Sequence, residues 1–412
     1  MKRRQVQTTL GEDATVCKKG RSSDNSPDIR DVRETPPDSA PRPEDCDAYW
    51  AARAQADAAA APPVPVKTDE ADLATPVRPE GAACVKVVTW NVAGFRAVLK
   101  KGFRDYVARE QPDVLCLQET KVAERMVPAA ELPPGYASVT FYECADTPGR
   151  HGTALLARTA PLAVRRGLGD PALDREGRAI TAEYPSFFVV CTYVPNSSEG
   201  LVHWAYRRRW DAALLAYLQE LDARKPVVWC GDLNVAHRWV DIYNPKPHVC
   251  DPSSPHALTP LFFQCASHWS SLLVTHTHTD TDMNWFSTWI RHQLNKTPGF
   301  LYGERDNFTK VLSSGFVDVY EHFYPGARGM FTFWSYRGGG RAKNNGWRLD
   351  YFVVSERALG RVLAIWRRPS VMGSDHCPLG ILFSIADSAA DLTANSTADP
   401  SVDAAVDAAV DS

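Results

Sequence analysis

The sequence predicts an α/β layered domain, and three observations predict it. Short apolar runs of strand length recur along the middle of the chain, turn residues bound them, and two helical stretches lie among them. The runs are continuously apolar rather than alternating, which marks strands covered on at least one face by other structure. In chain order they are VKVVTWNV (85–92), PDVLCLQE (112–119), GTALLAR (152–158), FFVVCTYVPN (187–196), KPVVWCGDLNV (225–235), LDYFVVS (349–355) and LGILFSI (379–385). A helix is predicted over Arg96–Glu110, where Leu99, Phe103, Tyr106 and Val107 share one side. A second runs from Trp204 to Leu221, with Trp210, Leu214, Tyr217, Leu218 and Leu221 at helical spacing beside a polar face.

The chain has 412 residues, and its net charge of −3 hides three different parts. Residues 1–83 hold 12 Lys and Arg against 15 Asp and Glu, and are dense in Pro, Ala, Asp and Ser without an amphipathic period. They are predicted to be a disordered arm. Residues 387–412 hold six Asp and no base, an acidic and disordered tail with a four-residue repeat in SVDAAVDAAVDS. The 303 residues of 84–386 hold 34 bases and 28 acids, so the folded part is mildly basic and compatible with a polyanionic partner. That length slightly exceeds one comfortable core, so an insert is expected, and residues 248–297 are its place. No apolar run reaches the roughly 18 to 20 residues of a membrane span. The start MKRRQVQTTLGED lacks the apolar core of a secretory signal, and its MKRR is a candidate nuclear-import patch. The 10 Cys are scattered without a CxxC pair, so neither a disulfide framework nor a structural zinc site is suggested, and a reducing compartment fits.

The informative feature is where polar residues stand. TWNVAG puts Asn91 at the end of an apolar strand, and LCLQET puts Gln118 and Glu119 at the end of another. TYVPN gives Tyr193 and Asn196, WCGDLN gives Asp232 and Asn234, WRLDYF gives Asp350, and MGSDHCP gives Asp375 and His376. An isolated buried charge is costly, so strands rarely end in carboxylates without compensation. One such end reads as a cap or turn; seven of them read as a site. Oxygen donors with few His and no Cys suit a hard cation, Mg²⁺ or Mn²⁺, rather than zinc.

TWNVAGFRA, PDVLCLQETK, GDLNVAH, GWRLDYF and GSDHCP closely resemble the exonuclease III-like apurinic/apyrimidinic (AP) endonucleases of the endonuclease/exonuclease/phosphatase superfamily. EGRAITAEY, YVPNSS, YRRRWD and TFWSYR fit the same family, and the match covers nearly all of 85–385 apart from the insert. The resemblance implies a four-layered α/β sandwich of two mixed sheets flanked by helices. It implies Mg²⁺-dependent cleavage of duplex DNA immediately 5′ to an abasic site, leaving a 3′-hydroxyl and a 5′-deoxyribose phosphate, with removal of blocked 3′ ends. It also implies a monomeric repair enzyme of the nucleus, with a mitochondrial pool and repair-protein partners reached through the termini or insert.

Carried over residue by residue, Glu119 is the main metal carboxylate with Asn91 and Asp375 close by, while Asp232, Asn234 and His376 complete the site across the phosphate. Asp232 or His376 takes the proton of the attacking water. Asn234 holds the transition state, Asp350 fixes the His376 tautomer, and Tyr193 lies against the same phosphate as phenol or phenolate. Phe333, Trp347 and Leu349 match the apolar pocket that accepts a baseless sugar and is too small for a normal nucleotide. Arg96, Asn196 and Arg337 match DNA-contacting positions.

Some positions depart from the pattern. Ala93 stands where many relatives have an acidic or amide residue near the metal, and alternation along a continued strand would point it with Asn91 toward Glu119. Glu199 replaces a DNA-inserting Arg. Arg337, Arg341 and Lys343 offer positive charge to backbone phosphates from a loop made mobile by Gly338–Gly340. Val88 replaces the Cys that vertebrate relatives use for redox control of transcription factors, so that second activity is not expected. The insert carries His276, His278, Asp280 and Asp282 in alternation, a weak zinc pattern. It also carries Trp269, Trp285 and Trp289 beside two amphipathic stretches suited to docking on the body or binding a partner. Two other readings compete: a phosphodiesterase of the same superfamily acting on RNA, a lipid or an inositol phosphate, and an interaction protein with a degenerate site. The aromatic pocket beside WRLDYF argues against the first. Retention of Glu119, Asp232, Asn234, Asp350, Asp375 and His376 argues against the second.

Overall fold

A computed structural model describes residues 78–79, 83–127, 129–243 and 297–385. The predicted N-terminal arm, apart from 78, 79 and 83, and the acidic tail lie outside them, as does the insert apart from Thr297. With the insert go His276, His278, Asp280, Asp282 and the three Trp.

Among the described residues, twelve strands form two six-stranded mixed sheets. The first holds β1 (Cys84–Asn91), β2 (Val114–Gln118), β3 (Ser138–Tyr142), β4 (Thr153–Ala157), β11 (Val362–Arg367) and β12 (Leu379–Ser384), ordered β11-β12-β1-β2-β4-β3. The second holds β5 (Ala163–Arg166), β6 (Ala179–Glu183), β7 (Phe188–Tyr193), β8 (Val227–Asp232), β9 (Phe316–Asp318) and β10 (Asp350–Ser355), ordered β5-β6-β7-β8-β10-β9. Each sheet has one parallel pair at its centre, β1 with β2 and β7 with β8, inside otherwise antiparallel ladders. Every strand-length run of the sequence is a strand. The predicted helix over Arg96–Glu110 is two, α1 (Phe95–Leu99) and α2 (Phe103–Glu110). It breaks because Gly102 takes φ 90°, a left-handed conformation that no helix interior holds. The second predicted helix is α3 (Trp204–Asp222), and α4 (Tyr302–Leu312) and α5 (Val319–Phe323) follow.

The layers follow from alternation along the strands. In β1, Val88 and Trp90 point outward and join Phe95, Val98, Phe103, Tyr106 and Val107 of α1 and α2. In β8 and β10, Val227, Trp229, Tyr351 and Val353 point outward to Trp210, Leu214, Leu218 and Leu221 of α3 and Phe308 and Val311 of α4. The alternate residues meet between the sheets: Val87, Cys116, Leu155, Cys191, Val228, Cys230, Phe352 and Ile381 make the central core. Helix, sheet, sheet, helix is the four-layered sandwich expected, and the strands read as continuously apolar because both faces are covered.

Candidate active site

The same period of two builds the site. Val87, Thr89 and Asn91 face inward on β1, and Val228, Cys230 and Asp232 face inward on β8. Cys191 and Tyr193 continue the pattern on β7. The central strands therefore carry their inward carboxylate and amide side chains at their ends, where the core gives way to solvent, and the one polar inward residue further in on β1, Thr89, is bonded to Gln118. Asp350 starts β10, which runs antiparallel and pairs Asp350 with Asp232. Gly231, φ 140°, is required just before Asp232, because a Cβ there would overlap the Thr192 carbonyl. Glu119 (φ 51°) directly follows β2, and Ala93 (φ 48°) and Asn234 (φ 48°) lie two residues beyond β1 and β8. A left-handed backbone costs roughly 1 to 2 kcal/mol at each such non-Gly position, and such strain gathers where surrounding structure over-determines a site.

The two sheets are joined at this end by Asn91, whose amide donates to Glu119 Oε1 at 3.1 Å and to Asp232 Oδ2 at 2.9 Å. Asp232 Oδ1 accepts the Asn234 backbone N–H at 3.0 Å, and the Asn234 amide donates to the Val194 carbonyl at 2.9 Å. His376 Nδ1 and Asp350 Oδ2 share a proton over 2.7 Å, leaving Nε2 turned toward Asp232 Oδ2 at 3.9 Å. Burial lowers the affinity of the His376 ring for a second proton, but Asp350 and then Asp232 outweigh it and lift the pKa to about 10. Burial, opposed by His376 and helped by Asp350 and Glu119, raises the Asp232 carboxyl to about 7. Glu119 is half-buried, which raises its pKa, yet Lys121, 2.5 Å away, and the Asn91 amide hold it below the usual range. Burial first, and Glu119 second, push the Tyr193 phenol far above its ordinary value. At neutral pH the site thus holds an ionised Glu119, a charged His376, a neutral Tyr193 and an Asp232 at its titration point.

Two places suit a hard cation. Asp232, Asp350 and His376 offer ligand atoms within 4.8 Å of one another, and Asp350 Oδ1 is buried without a hydrogen-bond partner. An ion there would compete with the short Asp350–His376 bond. The Glu119 side is the better fit, because its carboxylate is ionised and partly open; an ion there would share it with Lys121.

Phe333, Trp347 and Leu349 lie in one apolar cluster with Ala236, Ile242 and Phe300, and the Phe333 ring is 4.9 Å from His376. Asp375 is half-buried and accepts from the Ser374 hydroxyl at 3.2 Å. Asn196 is exposed and donates to Asn234 Oδ1 at 3.1 Å. Arg96, on α1, and Arg337 are exposed, and neither is drawn into the buried cluster.

Two expectations are corrected. Strand β1 stops at Asn91, and the left-handed turn at Ala93 breaks the alternation that would have paired their side chains; the Ala93 N–H instead donates to Asn91 Oδ1 at 3.0 Å. Arg341 does not reach outward, because its guanidinium is committed to three backbone carbonyls.

Sequence reasoning passed over several residues touching the site. Lys121 stands two positions after Glu119 in the ETK segment, and a cation beside a strand-end carboxylate was a usable signal. Arg178, in EGRAITAEY, lies over the Tyr193 ring at 4.7 Å and donates to the Tyr193 carbonyl at 3.0 Å. His151, 5.9 Å from that ring, carries no signal in the sequence because only the fold brings it there.

The Endonuclease/Exonuclease/phosphatase family pattern matches residues 88–376. A DNA-(apurinic or apyrimidinic site) endonuclease of Dictyostelium discoideum is 43% identical over 304 residues, 73% of this chain and 71% of that protein. The DNA repair nuclease APEX1 of Danio rerio is 41% identical over 305 residues, 74% of this chain and 84% of that protein. Among solved structures, an AP endonuclease from Leishmania major superposes with a TM-score of 0.57 at 32% identity, covering 74% of this chain and 89% of that one.

Proposed function

Because the chain belongs to the endonuclease/exonuclease/phosphatase family, we propose that it is a DNA-repair AP endonuclease that hydrolyses the phosphodiester 5′ to an abasic site in duplex DNA with Mg²⁺. The products are a 3′-hydroxyl and a 5′-deoxyribose phosphate, and the same site trims blocked 3′ ends. One observation carries this reading: the Asn91 amide ties carboxylates from two sheets, Glu119 and Asp232, into one site opposite a charged His376. That juxtaposition is what in-line attack on a phosphate needs, with an acceptor for a proton on one side and donors for anionic oxygens on the other.

Asp232, titrating near 7, takes the proton of the attacking water. His376, its pKa raised by Asp350 and then Asp232, donates from Nε2 to a phosphoryl oxygen, with the ring oriented by the Nδ1–Asp350 hydrogen bond. Tyr193 remains a phenol and is a second donor. Glu119, with Asn91 and Asp375 near it, would hold the divalent ion; Mn²⁺ can substitute for Mg²⁺. When bound, the ion supplies charge stabilisation at the phosphoryl and leaving oxygens. Phe333, Trp347 and Leu349, which lie in one apolar cluster, receive the baseless sugar, and a nucleotide that still carries its base is too large for the same place. The chain acts as a monomer on nuclear DNA, with a mitochondrial pool and repair-protein partners. Among the described residues no helix is long and apolar enough to cross a membrane.

The test is cleavage of a duplex carrying one tetrahydrofuran abasic analogue, with Mg²⁺ or EDTA, beside an undamaged duplex, an RNA and a phospholipid. Nicking 5′ to the analogue only with metal supports the assignment. Full activity in EDTA, or equal turnover of RNA or phospholipid, refutes it.

A further inference from the structure

We propose that Arg341 is a positioning residue: it holds the loop that presents Asp375 and His376, and so links the glycine-rich loop to the chemistry. The proposal rests on the function above. In sequence Arg341 belongs to RGGGRAK and reads as a phosphate contact, yet its guanidinium turns inward. Nε donates to the Pro369 carbonyl at 3.0 Å, Nη2 to Val371 at 2.8 Å and Nη1 to Ser374 at 2.9 Å. Its face lies over the Trp334 ring at 4.7 Å. Three of five N–H donors are thereby committed to one stretch of backbone, the one between the end of β11 and Asp375.

That stretch needs a restraint. It contains Gly373 at φ 126° and an exposed Met372, and it belongs to no helix or strand. Its far end is gripped from the site side: the Ser374 hydroxyl donates to the Asn91 carbonyl at 2.7 Å and accepts the His376 N–H at 3.2 Å. The Trp334 N–H donates to the Asp375 carbonyl at 2.8 Å. Ser374 is therefore pinned between Asn91 within and Arg341 without, immediately before two site residues. A planar fork matches three carbonyls; an ammonium on a flexible stem does not. Misplacing a donor or carboxylate by about 1 Å can cost on the order of a hundredfold in rate.

Lysine at this position separates the two roles, since it keeps the charge and loses the fork. Three readouts on the full-length chain decide: the single-turnover rate at saturating Mg²⁺ on the abasic duplex, the Kd for that duplex in EDTA across a salt series, and hydrogen–deuterium exchange of 369–376. Arg341→Lys should lose at least tenfold in rate, keep its Kd and salt slope within about twofold, and exchange faster across 369–376. Ser374→Ala, which releases the same loop from Asn91, should reproduce the rate loss at unchanged Kd, and serves if Arg341→Lys does not fold. A wild-type rate in either variant overturns the proposal, as does a loss confined to Kd with a flatter salt slope, the mark of a phosphate contact. If the wild-type chain fails to cut the abasic duplex, the assigned function falls; exchange in 369–376 still tests the clamp, and unchanged exchange in Arg341→Lys refutes it.

Discussion

Asparagine at position 350 removes one charge from a buried pair and keeps its shape. His376 Nδ1 and Asp350 Oδ2 are 2.7 Å apart and both side chains are at most 5% exposed. At an effective dielectric near 20, unit charges at that distance attract by about 6 kcal/mol, or about 4.5 pH units. Burial takes part of this back, which agrees with a His376 pKa lifted from 6.5 to about 10. Without Asp350, burial acts against the charged ring with only Asp232 and Asp375 opposing it, so the pKa falls toward or below 6.5. Asp232 loses the repulsion of Asp350, but once the ring is neutral it also loses the stronger pull of His376, so its own pKa is not carried down. Wild type should therefore show activity rising through about pH 7 and falling toward pH 10. Asp350→Asn should have its alkaline limb displaced to lower pH, with a loss of about 10² to 10³ at pH 7.5, the usual cost of one key donor. Stability carries the same signature. A His held above its ordinary pKa stabilises fully below about pH 6.5, and that contribution fades as pH rises toward 10; in the variant the fade nearly vanishes. The assay is single-turnover cleavage of the tetrahydrofuran duplex from pH 5.5 to 10.5 at saturating Mg²⁺, with urea unfolding at the same pH values. An Asp350→Asn profile with the wild-type alkaline limb would refute the coupling.

Other outcomes follow from the same geometry. Asp232→Asn and His376→Ala should each lower the cleavage rate at least about a hundredfold, read in the same assay with melting as a control. Arg348→Met should cost about 3 to 5 kcal/mol in urea unfolding, since Arg348 bonds both Asp241 (2.7 Å) and Asp318 (2.8 Å) in the interior. A chain spanning 78–385 should match the full-length turnover number; starting at 84 instead removes Arg78, which pairs with Asp113, and should lower the melting temperature slightly.

What could be read beforehand was what repeats locally. Strands buried on both faces declare themselves as apolar runs, and the polar residues that end them are visible as interruptions. Alternation even fixes that Asn91, Tyr193, Asp232 and Asp350 share the inner side once two sheets are assumed. Edge strands were missed: β5, AVRR, is mostly exposed and short, and β3 is half-buried, so neither has the apolar continuity of the centre. The direction of an arginine is the clearest failure. Arg341 and Arg337 are four residues apart in one basic, glycine-rich loop, yet one is folded onto carbonyls and the other is exposed. Composition gives their charge, and only the path of the surrounding backbone decides whether that charge faces solvent. The break in the first predicted helix has the same origin, since a single glycine at φ 90° outweighs an otherwise good periodicity.

Neither sheet owns the reactive centre. Asn91 and Glu119 come from one, Asp232 and Asp350 from the other, and between them runs a layer of Cys116, Cys191, Cys230, Val228 and Phe352. The spacing of catalytic groups is therefore set by the thickness of that hydrocarbon and sulfur layer, as a shim sets the gap between two plates. A substitution two residues below the site on the same face, such as Cys230→Ala, touches no reacting atom but lets the plates settle closer. Turnover should respond to it more steeply than the melting temperature does, so that catalytic rate becomes a finer gauge of packing deep in this molecule than its own unfolding.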